Sequence, residues 1–312
     1  MVEDDPTAPR GWGRRELLTG GLAAGLGAVL LGCGRSGPTP AGPPPVGPGP
    51  DAVFAGRLAS LEARFRGRIG VAALDSATGA RVGHRADERF LMLSTVKVPL
   101  VAAILRRSES DPGLLDRRVH WTRAELQAYA PATTPALATG LTVAELCAAA
   151  LTVSDNTAAN LLTAQLGGPP ATTAFLRGVD DTISRADRTE PTLNDVAGDL
   201  DTSTPRAFTA TLQTLTLGAA LPPPLRDRLV GWMRATTTGG AQIRAGVPVG
   251  ATAADKTGSG SADEANDVAV VWPFGRAPVV LGVFTAPIDP GNAGGKALIA
   301  EVTREVLRVF SL

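Results

Sequence analysis

Strand-forming sequence lies at both ends of the folded part of this chain, with a helical middle between. Segments 69–74 and 81–85 flank Ser76-Ala77-Thr78-Gly79, the pattern of a β-hairpin. Far downstream, 249–256, 268–272 and 279–285 also read as strands. The middle reads as helices over about 94–107, 122–128, 142–150, 156–166, 205–217 and 225–235. Phe54, Leu58, Leu61 and Phe65 recur at helical spacing in a first helix. Leu298, Val302, Val306 and Phe310 do the same in a last one, over about 293–310. This order predicts an α+β fold: an antiparallel sheet flanked by N- and C-terminal helices, with an inserted helical subdomain. The cleft between the two parts is the expected site.

The fold begins at about residue 51. Arg14 and Arg15 precede 16 uncharged residues, 17–32, rich in Leu, Ala and Gly. That run reads as an export signal, is short for a membrane span, and suits the twin-arginine route. Leu30-Leu31-Gly32-Cys33 resembles a lipobox, in which Cys33 receives lipid. Residues 34–50 hold 7 Pro and 5 Gly, a composition for an extended tether. The expected organisation is therefore signal 1–33, tether 34–50 and catalytic domain 51–312. Within that domain, the sheet part takes about 51–88 and 238–312, and the helical part about 89–237. The expected location is the outer face of the cytoplasmic membrane, touched only through lipid at Cys33, or otherwise secretion.

Charge narrows the function. The chain of 312 residues has zero net charge and 4% aromatic residues, which leaves no electrostatic footprint for nucleic acid. Two Cys and two His cannot build a structural zinc site or a disulfide scaffold. Positive charge is almost all arginine, since the only lysines are Lys97, Lys256 and Lys296. Lysine can lose its proton in a buried site and arginine cannot, so each lysine invites a chemical reason.

Two of the three fall in motifs. Ser94-Thr95-Val96-Lys97 opens an apolar helix, placing hydroxyl and amine one turn apart on one face. A desolvated neutral lysine can take the serine proton, and the helix N-terminus favours an oxyanion. Ser154-Asp155-Asn156 sits at a helix junction, where Ser154 can relay a proton and Asn156 can bind an amide. Asp155 there braces the turn, and an ordinary helix cap is the plain alternative. Lys256-Thr257-Gly258-Ser259-Gly260 lies at the end of a predicted strand, with an ammonium and two hydroxyls for an anion such as a carboxylate. Glu190 and Asn194, in a stretch with little apolar periodicity, can hold and activate one water; a solvated loop carboxylate is the alternative. The first three motifs together arise by chance at roughly 10⁻⁵ to 10⁻⁴. Lys296, in a Gly-rich lead-in to the last helix, reads as surface charge.

Together these motifs, in this order over nearly all of 51–312, closely resemble the class A serine β-lactamases. Tyr129, the only tyrosine, sits where that family has an aromatic at the cleft mouth. Arg244 matches its carboxylate-supporting arginine. The resemblance implies that Ser94 attacks the β-lactam carbonyl, with Lys97 or Glu190 as base. It implies proton delivery to the ring nitrogen by Ser154 with Lys256, and an oxyanion hole of the Ser94 and Ser259 amides. Glu190 and Asn194 would then position the deacylating water. Tyr129, Asn156, Arg244, Lys256, Thr257, Gly258 and Ser259 would hold the substrate, with no metal or other cofactor. Ser259 is compatible with cephalosporin hydrolysis, and the expected state is a monomer.

Two departures accompany the resemblance. The disulfide of many members would join positions 101 and 147, which here are Val101 and Cys147, leaving a buried free thiol. The glutamate loop is two residues short, so Arg188 could close it on Asp201 or on Asp199. Three rival readings remain: a penicillin-binding D,D-peptidase, which lacks the deacylating glutamate, a β-lactam-binding lipoprotein without turnover, and a Ser-His-Asp hydrolase using His84 or His120.

Overall fold

The computed structural model describes residues 50–289, 291 and 294–312. The export segment and residues 34–49 of the tether lie outside the described residues. Helix α1 (Pro50–Phe65) leads into β1 (Gly67–Asp75), β2 (Arg81–His84) and the short β3 (Phe90–Leu91). A 3-10 turn, Leu93–Val96, then opens α2 (Lys97–Arg107). Short strands β4 (Arg118–Val119) and β5 (Leu141–Thr142) precede α3 (Val143–Thr152), α4 (Asn156–Leu166) and α5 (Pro169–Gly178). After β6 (Thr202–Ser203) come α6 (Pro205–Thr216), α7 (Pro223–Arg234) and the single turn α8 (Ile243–Gly246). Strands β7 (Thr252–Ser259), β8 (Ala265–Trp272) and β9 (Val279–Pro287) and helix α9 (Gly295–Val309) complete the chain. The main sheet runs β2-β1-β9-β8-β7, antiparallel throughout. The α+β class and the flanking terminal helices agree with the reading from sequence.

Strands β1, β8 and β9 are buried on both faces, which is why they read as nearly continuous apolar runs. Successive residues serve opposite faces. Val268, Val270, Val280 and Phe284 pack towards α2, α3 and α6, with Phe208 edge-on to Phe284 at 5.8 Å. Ala269, Val271, Leu281 and Val283 pack towards α1 and α9, against Leu58, Leu298 and Val306. Helix α2 is buried from Lys97 to Leu105, so it is the central helix of its layer. Pro99 stands in its first turn, near a helix start, where proline is best tolerated.

Three local expectations differ from the structure. Residues 122–128 form only a 3-10 turn, Arg123–Glu125, because Leu126 turns extended and the Gln127 amide goes to Thr157 Oγ1. Helix α5 has no counterpart among the helices read from sequence. Its two prolines look like breakers but occupy the first two helical positions, where proline is tolerated. Strand β7 continues past Lys256, the expected end, through Thr257 and Gly258 to Ser259.

The segment carrying Glu190 is closed at both ends. Residue pairs Phe90–Ser203 and Leu91–Thr202 join β3 to β6, and the Met92 amide donates to the Asp201 carbonyl. Arg188 Nε donates to Asp201 Oδ2 at 2.6 Å, while Asp201 Oδ1 accepts from the amides of Asp187 and Arg188. Asp199 faces Arg89 at 3.2 Å instead, so Asp201 is the partner of Arg188. Cys147 is a buried free thiol. Because Asp201 is buried and serves three donors, Asp201→Ala should lower unfolding free energy by about 3 kcal/mol in urea titration. A loss below about 0.5 kcal/mol would place the closure elsewhere.

Candidate active site

Ser94 sits in the 3-10 turn between β3 and α2, in a segment held in unusual backbone geometry. Leu93 before it has φ +52°, and Ser154 across the cleft has φ +58°. Such left-handed non-glycine residues cost about 1–3 kcal/mol each and persist where surroundings over-determine them. Asp155 supplies part of that framework. It caps α4 through Ala158 N and also accepts from Ala132 N, Thr133 N and Thr133 Oγ1.

Lys97 Nζ is the hub. It lies 2.8 Å from Ser94 Oγ, 3.0 Å from Ser154 O, 2.6 Å from Asn156 Oδ1 and 3.0 Å from Glu190 Oε1. Ser154 Oγ is 3.3 Å away. Burial pulls the Lys97 ammonium below the ordinary lysine range, against the opposing pull of Glu190. A neutral amine has two N–H bonds, and Asn156 Oδ1 and Ser154 O can only accept. Spending both there turns the lone pair towards the Ser94 hydroxyl, the arrangement of a general base.

Lys256 lies beneath Ser154, with Nζ 3.0 Å from its Oγ and 2.7 Å from the Thr257 carbonyl. Burial, then the Lys97 charge, lower it to about 7, against Asp267, Asp255 and Glu190. Asp267 is itself pushed well up by burial and by the neighbouring Asp255. Thr257 Oγ1 shares a hydrogen bond of 2.6 Å with Thr238 Oγ1.

Opposite these lysines, the Glu190 backbone is clamped by one side chain. Asn160 Oδ1 accepts from the Glu190 amide and Asn160 Nδ2 donates to its carbonyl, both at 2.9 Å. The Glu190 carboxylate receives Asn194 Nδ2 at 2.7 Å, and its other oxygen lies 3.4 Å from Ser94 Oγ. Asn194 Oδ1 is buried without a partner.

Ser94, Tyr129, Ser154, Asn156, Glu190, Asn194, Thr257 and Ser259 all line one cleft of about 340 Å³. Lys97 and Lys256 are buried under it. A depression of about 510 Å³ beside α6 is larger but is lined by no serine, lysine or histidine. Chemistry, not size, picks the smaller one. Neither His84 nor His120 lines the cleft. Among the described residues, no group of three or more His, Cys, Asp or Glu could hold a metal ion.

This constellation has known counterparts. Residues 54–310 match the model of the beta-lactamase enzyme family. Beta-lactamase FAR-1 of Nocardia farcinica (strain IFM 10152) is 45% identical over 297 residues, 95% of this chain and 95% of its own. The carbapenem-hydrolyzing beta-lactamase KPC of Klebsiella oxytoca is 48% identical over 252 residues, covering 80% of this chain and 86% of that one. A solved class A beta-lactamase from Mycobacterium abscessus superposes with TM-score 0.82 at 54% identity, covering 83% of this chain and 100% of that one. The chain belongs to the class A β-lactamases. It is therefore a hydrolase.

In this class A chain three predicted substrate-binding residues lie outside the cleft lining, Lys256 because it is buried beneath it. Gly258 faces the other way: a Cβ there would stand 2.9 Å from Leu93 Cβ and 3.3 Å from Ser94 N. Its bare backbone lets β7 approach the nucleophile turn. Arg244 sits on the single turn α8, donates to Asp255 Oδ1 at 2.5 Å and lines a separate depression with Val247 and Ala253. Asp255 is fully buried, so its charge commits the arginine.

Sequence reasoning missed Asn160, Thr238 and Gln242, and set Lys296 aside, although the last three line the cleft. Only Asn160 carried a signal, being four residues after Asn156 on the same helix face. Arg244→Ala should cost about 3 kcal/mol of stability by leaving Asp255 unpaired, with KM of the folded enzyme within about twofold. Unchanged stability with a large rise in KM would return Arg244 to the substrate.

Proposed function

We propose that this enzyme opens the β-lactam ring through a covalent acyl-enzyme on Ser94. Ser94 Oγ adds to the ring carbonyl carbon and its proton passes to Lys97 Nζ, the nearer of the two bases. The developing oxyanion lies between the amides of Ser94 and Ser259. Support for the first amide comes from its place at the opening of the 3-10 turn, where helical N–H groups lack internal partners. One such donor is worth roughly 10²–10³ in rate. The ring C–N bond then breaks as Ser154 Oγ gives its proton to the nitrogen. Ser154 is replenished from the lysines that flank it at 3.0 and 3.3 Å.

Deacylation returns the enzyme. A water loses its proton to Glu190 and adds to the ester carbonyl, and Ser94 Oγ leaves with a proton, releasing the ring-opened acid. The observation that carries this reading is the orphaned Asn194 Oδ1 beside the Glu190 carboxylate. A buried acceptor without a partner costs about 1–3 kcal/mol, and a water donating to both groups removes that cost. The same pair favours a hydrolase over a D,D-peptidase or a binding protein without turnover, since all three could acylate but only activated water gives release.

Glu190→Ala tests the division of labour. Mass spectrometry should show the variant acylated at Ser94 by a β-lactam and accumulating the adduct, with steady-state turnover reduced by roughly 10²–10⁴. Turnover at the wild-type rate would overturn the assignment.

A further inference from the structure

The end of the sheet away from the cleft carries features that the reaction does not use. There β7 and β8 close on the pair Thr252–Trp272, and the loops beyond them expose Val249 and Phe274. These are the two most exposed large apolar side chains among the described residues, with Phe274 89% exposed in the turn joining β8 to β9. At the same strand ends lies a depression of about 350 Å³, lined by Arg234, Arg244, Val247, Ala251, Thr252 and Ala253 and by no acidic side chain. The Arg234 guanidinium rests on the Trp272 ring at 4.2 Å and has no ion-pair partner among the described residues. Arg244 gives Nε to Asp255 and Nη2 to the last carbonyls of α7, which leaves its Nη1 unspent.

The chain enters the fold at this end. Arg57 on α1 pairs with Glu305 on α9, and Arg64 with Glu301, so α1 runs antiparallel to α9 and starts beside its C-terminus. That C-terminus adjoins the β8–β9 turn, because Arg276 Nη1 donates to the carbonyls of Phe310 and Ser311. Upstream of α1 come the tether and Cys33, the expected site of lipid. An extended tether over residues 34–49 would reach about 50 Å, so lipid at Cys33 would hold the domain near a bilayer without choosing which face meets it.

We propose that this end of the sheet docks on an anionic phospholipid surface, a contact beyond the lipid expected at Cys33. Phe274 and Val249 enter the boundary of the acyl chains, and Arg234 and Arg244 receive lipid phosphates at the depression. Apolar insertion and attraction to anionic lipid reinforce one another, and guanidinium groups match phosphate geometry. Trp272 beneath Arg234 supplies the amphipathic ring favoured at headgroup level. Ser259, on the cleft wall, lies about 23 Å along β7 from Thr252, so docking by this end keeps the cleft clear of the bilayer.

The test is spin-label EPR on the full chain bearing Cys33→Ser, with vesicles of phosphatidylglycerol and phosphatidylcholine. Phe274→Cys carries a nitroxide whose ring takes the place of the phenyl. Ile288→Cys, exposed at the opposite end of the sheet, carries the control, and Cys147 is buried. The label at 274 should gain collisions with oxygen and lose them with a water-soluble nickel chelate, while the label at 288 stays in water. Arg234→Glu should lower the docked-to-undocked ratio of the 274 label about 10-fold, and Arg234→Gln by less. Added salt, or vesicles of phosphatidylcholine alone, should undock it as well. A 274 label that stays in water, or labels at 274 and 288 that enter the bilayer alike, would overturn the docking face. Immersion of the 274 label unchanged by salt and by both Arg234 variants would overturn the capture of lipid phosphate.

Discussion

The site is organised around one buried nitrogen, Lys97 Nζ, which touches the Ser94 hydroxyl, the Ser154 segment, helix α4 through Asn156 and the glutamate loop. Burying a free ammonium costs several kcal/mol even after relaxation, and two lie here, against a whole-domain stability of about 5–15 kcal/mol. The fold therefore cannot hold both lysines as isolated charges. Glu190, Asp255 and Asp267 supply opposing charge around them, and burial still drives both lysines towards the neutral form. The same constraint supplies the chemistry, since an amine short of its proton is a base.

Rigidity around that nitrogen comes from both layers. The central helix α2 is buried along its length and fixes the lysine stem. Gly258 lets β7 press against the nucleophile turn, and the Asn160 clamp and the Arg188–Asp201 pair fix the far wall. Positive φ at Leu93 and Ser154 is tolerated because these neighbours hold the turns in place. Positive φ at Leu93 and Ser154, two buried lysines and the orphaned Asn194 Oδ1 all belong to this site, as expected where a fold gives up local stability for reactivity.

The groups proposed to react were legible in the sequence because their chemistry restricts residue type and spacing: Ser94 and Lys97 would share a helical face, and Glu190 and Asn194 would reach one water. The sheet was legible at its ends because burial on both faces writes long apolar runs. Helix α5 was hidden by prolines whose tolerance depends on where the helix starts. Local pattern could not reveal that Arg244 is committed to Asp255, since the two meet only when α8 packs on β7. Lys296 reads as surface charge for the same reason: it is exposed, but the surface it occupies is the cleft wall, which only the tertiary fold defines.

The central claim is that burial makes both buried lysines give up their protons more readily than a free lysine does. With three lysines in the chain, a ¹³C-lysine NMR titration, assigned by Lys97→Arg and Lys256→Arg, observes them directly. The account predicts a Lys256 midpoint at about 7 and a Lys97 midpoint displaced below the ordinary 10.5. Midpoints for both at 10.5 or above would contradict it, because neither amine could then serve as a base at neutral pH.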